Sequence, residues 1–241
     1  MLGLGGWQAW RYLTTGGLLR IREIRIAGAR AAGTAELLEL SPVKRGDNLL
    51  LANVDAMSRA LMRHPWVAAV EIRRRWPPAL EVSVRERRAV AMVDLGGLYL
   101  VDRDGQPFKR AAPGDGLDLP LVTGFTRDDY VQRRADVDPL LRGALGLAED
   151  WARAGLERAL PLSEIHLDGA EGVTLYAGEE GLQIRLGAGP AGPKLERLAA
   201  VLRALRAEGK RAEVVLLDDR AHPDWVTVRP RAVAGTGSRG P

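Results

Sequence analysis

The stretch HPWVAAVEIRRRWPPALEVSVR, residues 64–85, decides the fold of the first part of this 241-residue chain. Apolar residues recur at alternate positions from Val67 to Ile72 and again from Leu80 to Val84. This alternation is typical of strands with one buried face. The pair Pro77-Pro78 between the two runs forces a turn. The stretch therefore predicts an antiparallel hairpin.

The residues before the hairpin predict one more strand and two helices. Ile21, Ile24 and Ile26 lie among charged residues, as in a strand with a single dry face. Helical spacing of apolar residues follows at 35–40 and at 54–63. The predicted order is strand, helix, helix, strand, strand. This part of the sequence contains no residue set typical of catalysis. On its residues alone, this part of the chain is interpreted as a docking module.

From residue 94 onward, the pattern changes to short strands and tight turns with two helices among them. One helix is expected to start at Asp138-Pro139, and the other runs from Pro193 to Gly209. Pro120 predicts an edge position for the short strand that contains it. Strands are expected at 98–101, 107–108, 119–122, 163–167, 173–177, 182–186, 213–217 and 225–229. The three strands from 163 to 186 are expected to form a meander.

The composition is ordinary for a soluble globular protein, with 46% hydrophobic and 27% charged residues. The net charge of +4 is spread along the chain. Nucleic-acid binding needs a concentrated basic face, so no nucleic-acid partner is expected. The run Arg73–Trp76 is interpreted as a charged sheet edge. The absence of cysteine excludes disulfide scaffolds, thiolate zinc sites and cysteine nucleophiles.

No cofactor, metal site or catalytic set is expected. His64, His166 and His222 are too far apart in sequence to form a spaced metal motif. A Gly-x-Ser-x-Gly elbow, which would indicate Ser-His-Asp catalysis, does not occur in the sequence.

One motif favours a nucleotide-binding enzyme. Gly187–Gly192 matches the pattern GxGxxG, follows a predicted strand and opens a predicted helix. The strand at 182–186 alternates, however, whereas the first strand of a dinucleotide-binding fold is apolar throughout. Pro190 and Pro193 also lack the amide hydrogens that would bind phosphate. A nucleotide-binding enzyme remains the third possibility.

The first part of the chain resembles the POTRA domain of the bacterial cell-division family FtsQ/DivIB. Four features carry the resemblance: the apolar run Asn48–Leu51, the step His64–Val67, the turn Arg75–Pro78 and the pair Glu86-Arg87. The resemblance implies an α+β fold, in which an N-terminal POTRA domain of order β-α-α-β-β is followed by a β-rich domain with two helices. The expected boundaries are 19–93 for the POTRA domain and 94–230 for the β-rich domain, with a disordered tail at 231–241.

Residues 1–18 are expected to be the remnant of a membrane anchor. Met1–Trp10 is apolar, but Arg11 interrupts it, and a spanning helix needs about 20 apolar residues. Trp7, Trp10 and Tyr12 beside Arg11 match the aromatic belt at a membrane surface. Because members of the family carry one membrane span just before the POTRA domain, the segment is interpreted as the outer end of such a span. A frayed apolar terminus is the alternative.

The resemblance implies a non-enzymatic scaffold of bacterial division. The expected location is the inner membrane at the division septum, single-pass, with the bulk of the chain on the periplasmic side. FtsB- and FtsL-like proteins are the implied partners, together with other division proteins that contact the POTRA domain. Partner binding is expected by addition of a partner strand to an open sheet edge. A POTRA-containing protein of outer-membrane assembly or secretion is the second possibility.

The candidate site is the last predicted strand and the loop before it. Arg220 matches a family arginine in that loop, and Ala221 stands where the family often has an aromatic residue, so the anchoring contact is expected to have moved to Trp225. A second, weaker edge is expected in the POTRA hairpin. The candidate partner-binding residues are Arg220, Trp225, Val226, Thr227, Val228 and Arg229 on the terminal edge, and Val70, Ile72, Arg73 and Arg75 on the POTRA edge.

Overall fold

The computed structural model describes residues 17–219, 221–222 and 224–231. These form two compact units, the first ending at Arg88 and the second beginning at Ala89. The sequence placed this junction after Val93. The strand Ala89–Asp94 is hydrogen-bonded within the sheet of the second unit, which moves the junction to its N-terminal side.

The described part of the first unit is a three-stranded sheet with two α-helices. Its elements are β1 (Glu23–Ala27), α1 (Thr34–Leu40), α2 (Val54–Leu61), β2 (Val67–Arg75) and β3 (Ala79–Glu86). β3 lies in the middle, parallel to β1 and antiparallel to β2. The predicted order β-α-α-β-β and the predicted hairpin are confirmed.

The core of the first unit forms where the alternating residues of the sheet meet the apolar stripes of the helices. Leu80 and Val82 of β3 are buried, as are Leu37 of α1 and Met57 of α2. Asn53 starts α2, since its side-chain oxygen accepts a hydrogen bond from the Ala56 amide at 2.9 Å. The buried residues are thus those of the apolar sequence pattern, and α2 begins at a capping residue.

Among the described residues, the second unit is a nine-stranded mixed sheet with three α-helices. Along the sheet the strands lie in the order β12-β11-β10-β9-β8-β7-β4-β5-β6. The elements are β4 (Ala89–Asp94), β5 (Leu98–Asp102), β6 (Pro107–Arg110), β7 (Leu121–Thr123), α3 (Arg127–Gln132), α4 (Arg134–Arg153), β8 (Leu162–Leu167), β9 (Val173–Ala177), β10 (Leu182–Gly187), α5 (Ala191–Ala207), β11 (Ala212–Leu216) and β12 (Thr227–Pro230). The predicted meander is confirmed as β8-β9-β10.

Two local predictions for the second unit were wrong. The strand after Pro120 is β7, which lies inside the sheet between β4 and β8. Pro120 precedes the strand and contributes only its carbonyl oxygen, which accepts from the Met92 amide at 2.9 Å, so its missing N–H costs the ladder nothing. The long helix starts at Arg134, before the predicted Asp138-Pro139, and Pro139 lies inside it.

Most residues of the two predicted terminal segments lie outside the part of the chain that the structure describes. Residues 1–16 of the predicted anchor remnant and residues 232–241 of the predicted tail lie outside the described residues. Among the helices of the described ranges, none is both long and apolar enough to cross a bilayer.

Candidate partner-binding edge strand

The last described strand lies at one edge of the nine-stranded sheet. Within the described part of the chain, β12 pairs with β11 alone. Thr227 lies opposite Leu216, and Val228 lies opposite Val215. Trp225 and Val226, predicted as part of this strand, precede it as irregular backbone.

The backbone of β12 has one row of polar groups that points away from β11. The Arg231 amide donates to the Arg211 carbonyl at 2.9 Å. Because successive residues of an antiparallel strand point their backbone groups to opposite sides, Arg229 faces β11 as well. Val228 therefore presents both its N–H and its carbonyl outward. Pro230 presents a carbonyl alone, since proline has no N–H.

The side chains of β12 give the edge one apolar and one polar face. Val226 and Val228 pack against the hydrophobic core. Thr227 and Arg229 lie exposed on the opposite face. A guanidinium nitrogen of Arg229 lies 3.5 Å from a carboxylate oxygen of Glu213, within the distance of an ion pair but at the outer limit of a hydrogen bond. A strand added here would meet apolar contacts on one side and a cation with a hydroxyl on the other.

The loop before β12 is ordered by Asp219. Its carboxylate accepts hydrogen bonds from the amides of His222 at 3.0 Å and Ala221 at 2.8 Å. These two bonds lower the pKa of Asp219. The predicted anchor Trp225 stacks on His222 with ring centroids 4.1 Å apart, yet 62% of Trp225 stays exposed. Arg220 lies outside the described residues.

Two contacts of this loop were missed by the sequence reasoning. Asp219 makes the turn and His222 stacks on Trp225, and neither contact was predicted from the sequence. Asp224 forms an ion pair with Arg197 of α5 at 2.8 Å, which ties the loop to the helix. An aspartate that hydrogen-bonds the backbone two residues on is a familiar turn signal, so the turn could have been found from sequence.

The predicted POTRA edge is β2, which pairs only with β3 in the described structure. Val70 and Ile72 are half-buried. Arg73 forms an ion pair with Glu71 at 2.6 Å, and Arg75 with the cross-strand residue Glu81 at 2.7 Å. Both arginines are thus already neutralised by carboxylates. The two predicted edges belong to different units of the chain.

The glycine motif lies where the sequence placed it, between β10 and α5. β10, α5 and the parallel strand β11 form a single βαβ unit. The Lys194 ammonium donates to the carbonyl oxygen of Ala188 at 2.7 Å and to that of Leu186. Desolvation by burial lowers the pKa of Lys194. The loop thus turns carbonyl groups toward a cation, whereas a phosphate site needs N–H donors.

The cleft beside the motif has a volume of about 600 Å³ and is lined by Arg185, Lys194, Arg197 and Asp218 among others. A guanidinium nitrogen of Arg185 lies 3.3 Å from a carboxylate oxygen of Asp218, so Arg185 is already in an ion pair. Within the described ranges, no group of three histidine or acidic side chains is placed to hold a metal ion.

Comparisons with known proteins assign both units. Residues 19–87 match the FtsQ-type POTRA domain, and residues 89–218 match the C-terminal region of cell division protein FtsQ/DivIB. The chain is 54% identical over 228 residues to the cell division protein FtsQ of Anaeromyxobacter sp. (strain K), covering 95% of this chain and 77% of that protein. It is 42% identical over 229 residues to the cell division protein FtsQ of Myxococcus fulvus, covering 95% and 80%.

Proposed function

Because the chain belongs to the FtsQ/DivIB family of cell division proteins and has its role in the divisome, we propose that it acts there as a non-enzymatic scaffold. The proposed partner is an FtsB-like protein that arrives together with an FtsL-like protein. The observation that carries the proposal is the outward N–H and carbonyl of Val228 on an edge strand that has no second neighbour among the described residues.

The proposed mechanism is addition of a partner strand to β12. Main-chain hydrogen bonds provide affinity in this mode, and pockets for alternate side chains provide specificity. The apolar face at Val226 and Val228 favours a partner residue that extends the core, and Arg229 on the other face favours an acidic one. Pro230 lacks an N–H, which limits pairing to the part of β12 before it.

The loop before β12 is proposed as the anchor of the partner. Trp225 is presented on His222 as a flat, exposed surface, and stacked or edge-on aromatic contacts add to the free energy of burial. This arrangement supports the proposal that Trp225 takes over the contact that an aromatic residue at position 221 makes elsewhere in the family. Arg220 is proposed to contribute an ion pair to the same partner.

Two further parts of the proposal depend on other segments. The β2 edge, with Val70, Ile72, Arg73 and Arg75, is proposed to contact other division proteins. It is the weaker site, because both of its arginines form ion pairs at 2.6 and 2.7 Å, shorter than the 3.5 Å pair of Arg229. The apolar, tryptophan-containing residues 1–18 are proposed to belong to a single-pass inner-membrane anchor, with the bulk of the chain on the periplasmic side.

The two other function classes are not proposed. Both family matches are to division proteins, which favours division over outer-membrane assembly or secretion. The Ala188 carbonyl of the glycine motif accepts a hydrogen bond from Lys194, which leaves the loop poorly suited to phosphate.

The test removes the outward N–H of Val228 and keeps the backbone hydrogen bonds between β12 and β11. Val228→Pro removes the outward N–H, and proline is tolerated on an edge strand when its N–H side faces solvent. Val228→Ala is the matched control, because it shortens the same side chain but keeps the amide. Affinity for the FtsB-like partner from the same organism is measured by titration calorimetry, and folding is checked by thermal unfolding.

We expect Val228→Pro to weaken binding at least about tenfold and Val228→Ala to weaken it much less. If a folded Val228→Pro variant bound the partner as tightly as the wild type, addition to β12 would be ruled out. If both variants lost binding equally, side-chain packing, not the backbone row, would carry the affinity.

A further inference from the structure

One end of the first unit gathers three segments from distant parts of the sequence. β1 starts beside the start of β3, because Glu23 pairs with Ala79 in a parallel register. The Arg22 amide donates to the Pro78 carbonyl at 2.9 Å, which joins the entering chain to the β2–β3 turn. The Leu49 amide donates to the Leu19 carbonyl at 2.8 Å and adds the loop 48–52.

This end exposes large apolar side chains from all three segments. Trp76 in the turn is 66% exposed, and Leu18, Leu50 and Leu51 are each more than half exposed. In the described part of the first unit, the other exposed large apolar residues are Leu40 and Met62, which end α1 and follow α2. We call the set Leu18, Leu50, Leu51 and Trp76 the apolar end.

The loop that carries two of these leucines is held firmly, although its side chains point to solvent. The Asn48 side-chain oxygen accepts from the Leu50 amide at 2.9 Å. The Arg74 guanidinium donates to the carbonyls of Leu49 and Ala52, both at 2.9 Å. The backbone of this loop is therefore fixed by hydrogen bonds in a conformation that exposes Leu50 and Leu51.

Cations surround the apolar end. Arg20 and Arg22 are exposed, and neither forms an ion pair with another described residue. The nearby carboxylates Glu23 and Glu81 are matched by Arg25 at 2.8 Å and Arg75 at 2.7 Å. The exposed Asp47 accepts a hydrogen bond from the Lys44 amide and is outnumbered by the exposed cations Lys44, Arg45, Arg20 and Arg22. The excess charge at this end is therefore positive.

We propose that the apolar end docks on the surface of a bilayer that contains anionic lipids. Tryptophan and leucine side chains enter the boundary between headgroups and acyl chains, and arginines pair with lipid phosphates. Charge complementarity selects this occupant, because unpaired arginines beside solvent-facing leucines suit an anionic, apolar boundary. The inference does not depend on strand addition to β12, which concerns different residues in the second unit. It shares Leu18 with the proposed anchor, whereas the reporter positions Leu50 and Trp76 lie outside that segment.

The test places a reporter at single positions of the full chain. The chain has no cysteine, so Leu50→Cys or Trp76→Cys provides one labelling site for an environment-sensitive fluorophore. Met62→Cys is the matched control, because Met62 is 51% exposed and follows α2, in the same unit but outside the apolar end. Each labelled chain is titrated with vesicles of phosphatidylglycerol and phosphatidylethanolamine, and with vesicles of phosphatidylcholine alone.

We expect the label at Leu50 or Trp76 to shift to shorter wavelength with the anionic vesicles, and the label at Met62 to stay unchanged. Replacing Leu50, Leu51 and Trp76 together by serine should lower vesicle partitioning at least about tenfold. Arg20→Gln with Arg22→Gln should weaken the preference for anionic over neutral vesicles.

Several results would overturn the proposal. They are unshifted labels at Leu50 and Trp76 on vesicle-bound chains, no vesicle binding at all, or an equal shift at Met62. A shift that appears without vesicles and grows with protein concentration would assign the apolar end to a second copy of the chain instead.

Discussion

At the scale of single residues, Glu86 closes the first unit. It ends β3, and its carboxylate accepts hydrogen bonds at 2.8 Å from the amides of Arg30 and Ala32 in the segment between β1 and α1. Desolvation by burial raises the pKa of Glu86, but hydrogen bonds from the amides of Ala32, Arg30 and Ala31 outweigh it, so the pKa lies below its usual 4.5. Charge-assisted bonds of this kind are stronger than neutral ones.

Glu86→Gln should reduce the stability of the first unit by about 1 kcal/mol near pH 7. A carboxyl whose pKa is lowered by folding stabilises the protein above its unfolded pKa and loses that contribution as the pH falls through the folded value. The difference between wild type and Glu86→Gln should therefore shrink as the pH falls below 4.5. Urea unfolding across this range measures it, with Glu71→Gln as an exposed control. A difference that stayed constant with pH would contradict the charge argument.

Gly28 allows β1 and β3 to approach closely. Its φ is 87°, and an added Cβ would lie 2.1 Å from the Val84 carbonyl oxygen. Gly46 has a similar φ of 94°, but nothing lies within 4 Å of its Cβ position. The two glycines form a matched pair, in which only the close approach differs.

Gly46→Ala should cost about 1–2 kcal/mol from the left-handed backbone alone. Gly28→Ala should cost at least about 2 kcal/mol more, because β1 must move away from β3. Thermal or urea unfolding of both variants checks this. Equal losses would show that the strands relax freely around position 28.

At the scale of elements, β2 holds the loop 48–52 through Arg74. We expect Arg74→Met to cost about 1–3 kcal/mol, because the carbonyls of Leu49 and Ala52 lose a charged donor. Amide exchange in the loop should become faster. Arg73→Met, which breaks only an exposed ion pair, should change stability by less than about 0.5 kcal/mol. Unchanged loop exchange in Arg74→Met would mean that Asn48 alone fixes the loop.

Elements whose partners are close in sequence could be predicted, and those with distant partners could not. The Pro77-Pro78 turn gave the β2–β3 hairpin, and short turns gave the meander β8–β10. β7 pairs in parallel with β4 and β8, from which it is separated by other strands and helices. Alternation shows which face of a strand is buried but not which strand lies beside it.

The candidate site likewise has parts that the sequence predicts and parts that it does not. Periodicity located a final strand at 225–229, whereas the structure has Thr227–Pro230. Trp225 instead stacks on His222, a contact that depends on the turn made by Asp219 and has no periodic signal. The alternating pattern also could not show which backbone groups of β12 point outward, since this follows from the register with β11.

At the scale of the whole sheet of the second unit, the two edges differ in protection. β6, at the edge opposite β12, starts at Pro107, and the Lys109 ammonium donates to the Arg110 carbonyl at 3.3 Å. Lys109 also forms a largely buried ion pair with Asp115 at 2.7 Å, which lowers the pKa of Asp115. Proline and inward-pointing charges protect sheet edges against pairing.

This difference predicts which edge a partner strand uses. The Ala111 amide donates to Leu98 on β5, so the Arg110 N–H points outward, as that of Val228 does at the other edge. In the complex with the FtsB-like partner, amide exchange at Val228 should slow at least about tenfold, and exchange at Arg110 should not change. Slower exchange at Arg110 with Val228 unaffected would contradict this. At Arg110 the carbonyl next to the donor is already bound by Lys109, so a strand arriving at β6 would have to displace a partly buried cation before its first pair of hydrogen bonds could form. At Val228 both groups are available at once.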